Sequence, residues 1–315
     1  MLLSRVADAL YWISRYLERA EHAIRLIDVR LDLGLDRGPV GWDFGGLYTS
    51  LALLPDDHYA QNPAGLIDTV VFDASNPGSV AACVTAAREN ARQVREEISS
   101  DMWQQINELF LHLKQARTGV WSTRAHYLAR LVIDGIHLFE GVTDETMAHG
   151  EGWQYLQVGR FVERASATAA LLDLRFQDSP QTAGDAPGER VEWVALLRSC
   201  SALEAYCRRY TADLEPGRIA EFLLLDAEFP RSVRFAAARI KSALRALGSL
   251  TSRPAGGHAE RLAGRLHASL GYGLMDEILQ DPHGYLEGIG RHCALVHGAL
   301  YQTYITYRIE SALPA

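Results

Sequence analysis

The first thirty or so residues carry apolar side chains at spacings that alternate between three and four. These residues are Leu3, Val6, Leu10, Ile13, Leu17, Ala20, Ile24, Ile27 and Leu31. Because an α-helix has about 3.6 residues per turn, this spacing places them along one side of a single helix. The pattern predicts a helix over residues 4–33, with Ser4 as its N-cap and Gly34 at its end.

Helical periodicity continues along the chain, and the alternation typical of strands is scarce. Breaks rich in glycine and proline, such as residues 34–46 and 177–189, separate the periodic segments. We therefore predict an all-α fold of about ten to twelve helices. We place them near residues 4–33, 42–54, 64–72, 77–99, 101–117, 122–146, 150–176, 190–212, 216–225, 230–248, 257–279 and 284–311.

Two short sequences occur twice, in the same order and at nearly equal offsets. RYLERA at residues 15–20 returns as RFVERA at 160–165, and the apolar spacing around it returns in the same phase. FDASNPGSV at 72–80 resembles LDAEFPRSV at 225–233. Such recurrence is typical of an internal duplication. We expect a helical bundle of two pseudo-symmetric halves, residues 1–148 and 149–315, packed into one compact unit.

The second repeated sequence is typical of the start of a helix. Proline is favoured in the first helical turn, and an aspartate a few residues earlier can accept hydrogen bonds from backbone N–H groups. The two copies share Asp73 and Ser79 with Asp226 and Ser232. We take these four residues as secondary candidates for the functional site.

The first repeated sequence carries the strongest candidate chemistry. Arg15, Glu18 and Arg19 share one face of the first helix, and the second copy repeats them as Arg160, Glu163 and Arg164. Three interpretations remain open. The residues form exposed pairs worth about 0.2–0.5 kcal/mol each, a buried Arg/Glu network between the halves, or an anion site in which glutamates orient the arginines.

A comparison of the two copies favours the buried network and the anion site. Trp12 becomes Gln157 and His22 becomes Ala167, whereas Arg, Glu, Arg and Ala of the repeated sequence do not change. An exposed ion pair gives little reason for that selectivity, because such pairs contribute little to stability. Arginine, by contrast, binds carboxylate and phosphate groups with two parallel hydrogen bonds.

Composition excludes several classes of function. The formal net charge is −8, and lysine occurs only at positions 114 and 241, so no dense basic patch points to nucleic acid. Arg5 and Asp8 interrupt the segment where an export signal would be apolar, and no run reaches the roughly 20 apolar residues of a membrane span. We expect a soluble cytoplasmic protein. Its four cysteines, none in a C-x-x-C pair, are expected to be buried thiols.

Other groupings of reactive residues are weaker. The sequence has no phosphate-binding loop, no dinucleotide fingerprint and no nucleophile elbow. A di-iron bundle requires Glu-x-x-His pairs, which neither Glu18 with Glu21 and His22 nor His137 with Glu140 provides. Asp28 and Asp32 lie in no Asp-rich motif and are expected at a solvated helix end. We expect neither a metal nor a cofactor. Tyr301, Tyr304 and Tyr307 form an aromatic stripe, for which core packing is the first interpretation and a partner surface the second.

The residues around the first repeat resemble a known family. LSRVADALYWISRYLERAEHAIRLID, residues 3–28, is similar to the opening of the bacterial alpha-E family, all-helical proteins named for a Glu-Arg motif, here Glu18-Arg19. Residues 72–99 resemble the second characteristic stretch of the family, and the similarity extends over the whole chain. Ser4 and Arg5 also match its start. Because the second copy has His149 and Gly150 there, any role of that pair is confined to one half.

The resemblance implies a biochemical context. Proteins of this kind are encoded beside, or fused to, circularly permuted ATP-grasp proteins and transglutaminase-like domains, which implies peptide or amide-bond synthesis and modification. We therefore expect an accessory or binding module that works with an ATP-grasp-type ligase. A non-catalytic protein fits this context better than an enzyme does. In this module, the Arg/Glu cluster binds an anionic ligand or holds the core. The alternatives are an enzyme acting on amides or amines with Glu18 or Glu163 as general base, and a structural homo-oligomer.

Overall fold

The computed structural model describes residues 2–37, 65, 68–116, 125–178, 187–211, 213–251 and 257–306. Their α-helices are α1 (Ser4–Arg37), α2 (Val80–Gln93), α3 (Ser100–Ala116), α4 (Ala125–Thr146), α5 (Glu151–Asp178), α6 (Pro187–Ser199), α7 (Leu203–Tyr210), α8 (Pro216–Leu225), α9 (Val233–Leu250), α10 (His258–Tyr272), α11 (Met275–Ile278) and α12 (Pro282–Leu300). Short π-helical segments cover Asp68–Phe72 and Tyr301–Ile305. No strand occurs in these residues, and the all-α class is confirmed.

Helices α1 and α5 form the centre of the fold, where they pack against each other. Helices α2 and α4 cover α1, and helices α9 and α12 cover α5. Helix α3 packs on α2 and α4, while α10 packs on α9 and α12. The two helices that carry the repeated Glu-Arg sequence are therefore flanked by other helices, which cover much of their surface.

Burial around α1 reflects this central position. Leu10, Ile13 and Leu17 of the predicted apolar face are buried, and so are Tyr11 and Leu26 outside it. A helix buried on more than one face lies between two layers. The apolar pattern alone marks only one of these interfaces.

Gly159 allows α1 and α5 to approach closely. A Cβ atom at this position would overlap the backbone carbonyl of Tyr11 and the hydroxyl of Ser14. Only glycine can place its backbone this near the neighbouring helix without displacing it. The short separation is what lets charged side chains of α1 and α5 reach each other across the interface.

The ends of α1 differ from the prediction. The Leu3 carbonyl accepts the first helical hydrogen bonds from Val6 and Ala7, so Ser4 is the first helical residue and not the N-cap. The helix also continues past Gly34 to Arg37. An interior glycine costs about 1 kcal/mol relative to alanine, which does not by itself end a long helix.

Three predicted helices are interrupted. Residues 190–212 form α6 and α7, separated at Ser201, which has a φ of 49°. Residues 257–279 form α10 and the short α11, with Gly273 between them. The last helix ends at Leu300 and continues as the π-helical segment to Ile305. The predicted helix 42–54 lies outside the described residues.

Serine caps both helices of the second repeated sequence. The Ser79 hydroxyl accepts a hydrogen bond from the Ala82 N–H at 3.1 Å, and that of Ser232 accepts one from Phe235 at 3.0 Å. Both prolines therefore precede the caps instead of occupying the first turn. Asp73 and Asp226 each accept backbone N–H bonds within the preceding loop, as predicted. The internal duplication and the division near residue 148 stay predictions.

Two further findings concern the chain as a whole. All four cysteines are free thiols; Cys83, Cys200 and Cys293 are buried, and Cys207 is half-buried. Among the described helices, none combines the length and the apolar character that crossing a membrane requires.

Candidate functional site

The two Glu-Arg sequences face each other across the α1–α5 interface. Arg15 and Arg19 of α1 each donate a hydrogen bond from Nε to Glu163 of α5, both at 2.7 Å. In return, Arg164 of α5 donates from Nε and Nη2 to Glu18 of α1, at 2.7 and 2.6 Å. Each glutamate is thus held by arginines of the opposite helix, and not by the arginine three residues away on its own helix.

Further charged residues extend these contacts into a continuous cluster. Glu21 accepts hydrogen bonds from Arg25 and forms an ion pair with Arg231, which also lies 3.5 Å from Glu18. Arg160 pairs with Glu140 of α4. We refer to the whole set as the charge network: Arg15, Glu18, Arg19, Glu21, Arg25, Glu140, Arg160, Glu163, Arg164 and Arg231.

Burial varies strongly across the charge network. The side chains of Glu18 and Arg164 are only 2% and 5% exposed, and Glu21 is fully buried. Arg19 is 33% exposed. Six arginines face four glutamates in the network, so with every group ionised it carries two more positive than negative charges.

The arginines determine the ionisation of the buried glutamates. Burial alone would raise the pKa of Glu18, but the nearby charges of Arg164 and Arg231 lower it below its usual value. Burial would also raise the pKa of Glu21. The charge of Arg231, together with a hydrogen bond from His137 and the charge of Arg25, holds this pKa well below its usual value. Both carboxylates are therefore charged over the whole neutral range.

Glu163 and Glu140 respond differently to similar surroundings. Burial opposes ionisation of Glu163, and Arg15 and Arg19 outweigh it, so the pKa of Glu163 is lowered. At Glu140, burial together with the carboxylates of Glu18 and Glu21 raises the pKa in spite of the ion pair with Arg160. Glu140 is the carboxylate of the charge network that most readily takes up a proton.

Arg19 is the open end of the charge network. Its Nε is bonded to Glu163, whereas its two terminal nitrogens make no hydrogen bond to any described residue. Arg15 is more fully engaged, since it lies 4.9 Å from the Trp12 ring centroid and donates to the Tyr11 hydroxyl at 3.3 Å. Arg19 is consequently the member of the two Glu-Arg sequences best placed to bind a further anionic group.

Carboxylate oxygens of Glu18, Glu21 and Glu140 lie within 4.8 Å of one another, a spacing compatible with a metal ion. Each of these carboxylates already has an arginine partner. A divalent cation would have to enter beside several guanidinium groups, which its charge disfavours. The donor set therefore suits a charge network better than a metal site. Burial lowers the pKa of the adjacent His22 to about 4, which keeps that imidazole neutral.

The secondary candidates fall into two groups. Ser4 and Arg5 lie at the start of α1 and make no hydrogen bond or ion pair with the charge network among the described residues. Residues 226–232, by contrast, lead directly into it. Arg164 donates to the Pro230 carbonyl at 3.3 Å, and the next residue along the loop, Arg231, pairs with Glu21. Asp226 and Ser232 thus hold the loop that delivers Arg231, whereas Asp73 and Ser79 hold a loop with glycine at the equivalent place.

Sequence reasoning missed Arg231 and Arg25 and assigned no part in the Arg/Glu cluster to Glu21, Glu140 and His137. The available signal was the change from Gly78 to Arg231 between the two copies of the second repeated sequence. Comparison of the copies draws attention to residues that are the same in both, whereas Arg231 occurs in one copy only and supplies a second cation to the buried carboxylates.

The remaining groupings have structural surroundings of their own. Asp28 and Asp32 both contact His126, at 2.6 and 2.9 Å. Tyr301 accepts a hydrogen bond from Trp12 at 2.5 Å and packs partly buried against the core, as does Tyr304. Tyr307 lies outside the described residues.

An all-helical fold with Glu-Arg sequences at its centre defines the class to which this chain belongs. Its residues 2–305 match the model of the Alpha-E family, described as a predicted alpha-helical domain with a conserved ER motif. The chain belongs to this family. The match includes both Glu-Arg sequences and covers nearly the full length of the chain.

The chain is also similar to longer proteins. Uncharacterized proteins of Mycobacterium bovis and Mycobacterium tuberculosis are each 28% identical to it over 280 residues, which is 79% of this chain and 31% of theirs. The chain thus spans about a third of the length of these relatives. No solved structure matches it.

Proposed function

We propose that this chain is a non-catalytic helical module that works with an ATP-grasp-type amide or peptide ligase, together with a transglutaminase-like partner in the cytoplasm. In this proposal the charge network fixes α1 against α5 and presents Arg19 to an anionic group. That group is a carboxylate or phosphate of the partner or of the substrate.

The observation that carries the proposal is the uneven burial of the charge network. Most of its members are buried and paired, which suits a role in holding the core together. Arg19 alone combines a third of its side chain in solvent with terminal nitrogens that no described residue engages. With the excess of positive charge, this makes Arg19 the natural contact for an external anion.

The length of the relatives supports a role as a module. The similar region makes up 31% of each mycobacterial protein, so in those proteins it is joined to other sequence. A region that occurs within longer chains is suited to acting beside another domain. The absence of a phosphate-binding loop from the sequence fits a chain that leaves nucleotide chemistry to its partner.

The state of the glutamates argues against the catalytic alternative. A general base operating near neutral pH works best with a pKa raised toward that range. The arginines instead lower the pKa of both Glu18 and Glu163. Each of their carboxylate oxygens also accepts a charge-assisted hydrogen bond from an arginine, which further favours the ionised form over the protonated one.

The direct experiment is co-purification with the ATP-grasp protein encoded in the same genome, followed by assay of ATP turnover with and without this chain. We expect a stable complex and a turnover rate that depends on the helical chain. Failure of the two proteins to associate, combined with unchanged turnover, would exclude the proposed partnership.

Variants then test the role of Arg19. We expect Arg19→Ala to weaken the complex while the helical circular dichroism signal is retained. Arg130→Ala is the matched control, because Arg130 is a largely exposed arginine of α4 outside the charge network. If both variants bind alike, Arg19 is not the contact. If Arg19→Ala unfolds the chain, the charge network serves only the core.

A further inference from the structure

Three cavities lined entirely by described residues differ greatly in size. One lies beside Arg160 and another beside Arg175, and each has a volume of about 20 Å³, room for a single water. The third, which we call the α8–α10 cleft, has a volume of about 240 Å³. Of these three cavities, the α8–α10 cleft alone has space for a small molecule.

Four helices contribute to the α8–α10 cleft. Its lining residues are Arg209 and Tyr210 at the end of α7, Glu221, Phe222, Leu225 and Asp226 along and after α8, Arg234 of α9, and Leu270, Gly271 and Gly273 at the end of α10. Thr211 ends α7 in the left-handed conformation, with a φ of 50°. The site therefore lies at a junction of helix ends, apart from the α1–α5 interface.

Charges of both signs line the cleft. Arg209 pairs with the buried carboxylate of Asp226, and its guanidinium lies 5.7 Å from the Tyr210 ring centroid. Arg234 uses one terminal nitrogen, Nη1, to donate to the Leu225 carbonyl at 3.1 Å, and its other nitrogens make no hydrogen bond to a described residue. Glu221 is exposed and has no ion pair or hydrogen bond among the described residues.

This arrangement offers complementary groups to a zwitterion. A guanidinium with free N–H donors binds a carboxylate, and a carboxylate without a partner binds an ammonium group. Tyr210 is half-buried and adds an aromatic ring to the lining, against which part of a ligand can pack, whereas Phe222 is only 4% exposed. Arg209 and Asp226 neutralise each other, so the free charges of the cleft are those of Arg234 and Glu221.

We infer that the α8–α10 cleft binds a free α-amino acid. Arg234 holds the carboxylate, Glu221 holds the ammonium group, and the Tyr210 ring contacts the side chain. The inference does not depend on the proposed function, because it rests on residues outside the charge network and needs no partner protein.

Gly271 provides a way to close the cleft. A Cβ atom at Gly271 would meet no other atom within 4 Å, so a larger side chain there enters open space without strain. The Gly271→Phe variant places a ring at the cleft wall. Gly264→Phe is the matched control, because Gly264 lies on the same helix, also has open space at its Cβ, and does not line the cleft.

The experiment is a titration of the full chain with L-phenylalanine, in which binding is measured by isothermal titration calorimetry and by ligand-observed NMR. L-Phenylalaninamide lacks the carboxylate, and 3-phenylpropionate lacks the ammonium group. Because a hydrogen bond to a charged group contributes about 1.5–3 kcal/mol, each omission should weaken binding roughly tenfold to a hundredfold. We expect Gly271→Phe to abolish binding of L-phenylalanine and Gly264→Phe to leave it unchanged.

Charge-removing variants separate the two ends of the ligand. Arg234→Gln should weaken binding of L-phenylalanine about tenfold or more and leave binding of L-phenylalaninamide unaffected. Glu221→Gln should weaken binding of L-phenylalanine by a similar factor and leave binding of 3-phenylpropionate unaffected. Circular dichroism confirms the fold of each variant, and the comparison of probes on the wild-type chain needs no variant. The inference is overturned if L-phenylalanine does not bind, if Gly271→Phe binds it normally, or if 3-phenylpropionate binds equally well, which would indicate a plain anion site.

Discussion

The two Glu-Arg sequences have the same charged residues but different surroundings. Arg164 is 5% exposed and donates two hydrogen bonds to Glu18 and a third to the Pro230 carbonyl. Arg19, its counterpart, is 33% exposed and donates one hydrogen bond, to Glu163. One end of the charge network is therefore sealed within protein, and the other reaches the surface.

Neighbouring residues cause this difference. The loop before α9 places Arg231 beside Glu18 and Glu21, whereas the loop before α2 has Gly78 at the matching position and contributes no side chain. Glu21 itself is matched by Ser166 on α5, which carries no charge. The same short sequence thus becomes a core element or a surface contact according to what the surrounding helices supply.

The largest effect should come from comparing Arg164→Ala with Arg19→Ala. Arg164→Ala leaves the buried Glu18 with only the more distant Arg231 and Arg160, and loss of a buried partner costs about 3–5 kcal/mol. Arg19→Ala removes a partly exposed pair, for which about 0.2–1 kcal/mol is expected. Urea unfolding followed by circular dichroism measures both, and equal losses would show that the two ends of the charge network are equivalent.

Arg231→Ala tests whether the loop residue seals the buried end. Glu21 keeps Arg25 and His137 as partners, so we expect a smaller loss, about 1.5–3 kcal/mol. Arg239→Ala is the control, since Arg239 is an exposed arginine stacked near Phe161 and should cost less than about 1 kcal/mol. A loss from Arg231→Ala no larger than that of the control would contradict the assignment. The measurement is again the free energy of unfolding in urea.

The pH dependence separates Glu163 from Glu140. The pKa of Glu163 is lowered in the folded state, so its contribution to stability is present above its ordinary pKa of about 4.5 and is lost as the pH falls below it. Glu163→Gln should therefore flatten the acid side of the curve of unfolding free energy against pH.

The pKa of Glu140 is raised, so the folded state binds more protons than the unfolded state above pH 4.5, and stability declines as pH rises. Glu140→Gln should remove that decline. Unfolding free energies measured from acid to neutral pH test both signs.

The smallest effects concern the two helix caps. Ser79→Ala removes one capping hydrogen bond and should cost about 1 kcal/mol. Ser232→Ala should cost more, because the Ser232 hydroxyl also donates to the Asp226 carbonyl at 2.5 Å in a buried position. Thermal unfolding of the two variants ranks them. The reverse order would mean that the loop carrying Arg231 is held by other contacts.

The candidate site was predictable in part. Repetition of Arg, Glu, Arg and Ala, while Trp12 and His22 change between copies, distinguishes these residues from ordinary surface charges. The pairing of Glu18 with Arg164 was not accessible from one copy alone, because a single helix offers Glu18 only Arg15, three residues away on the same face, as a partner. The close approach at Gly159 makes the pairing between helices possible.

Sequence by itself determined the helical class, the principal segments and the identity of the repeated charges, because these depend on local periodicity and on composition. Tertiary structure alone decided which charges are partners, which are buried and which remain open. The reason is physical: the cost of burying a charge depends on how many counter-charges surround it in space. Residues as distant in sequence as Glu18, Arg164 and Arg231 share one environment only after the helices have packed.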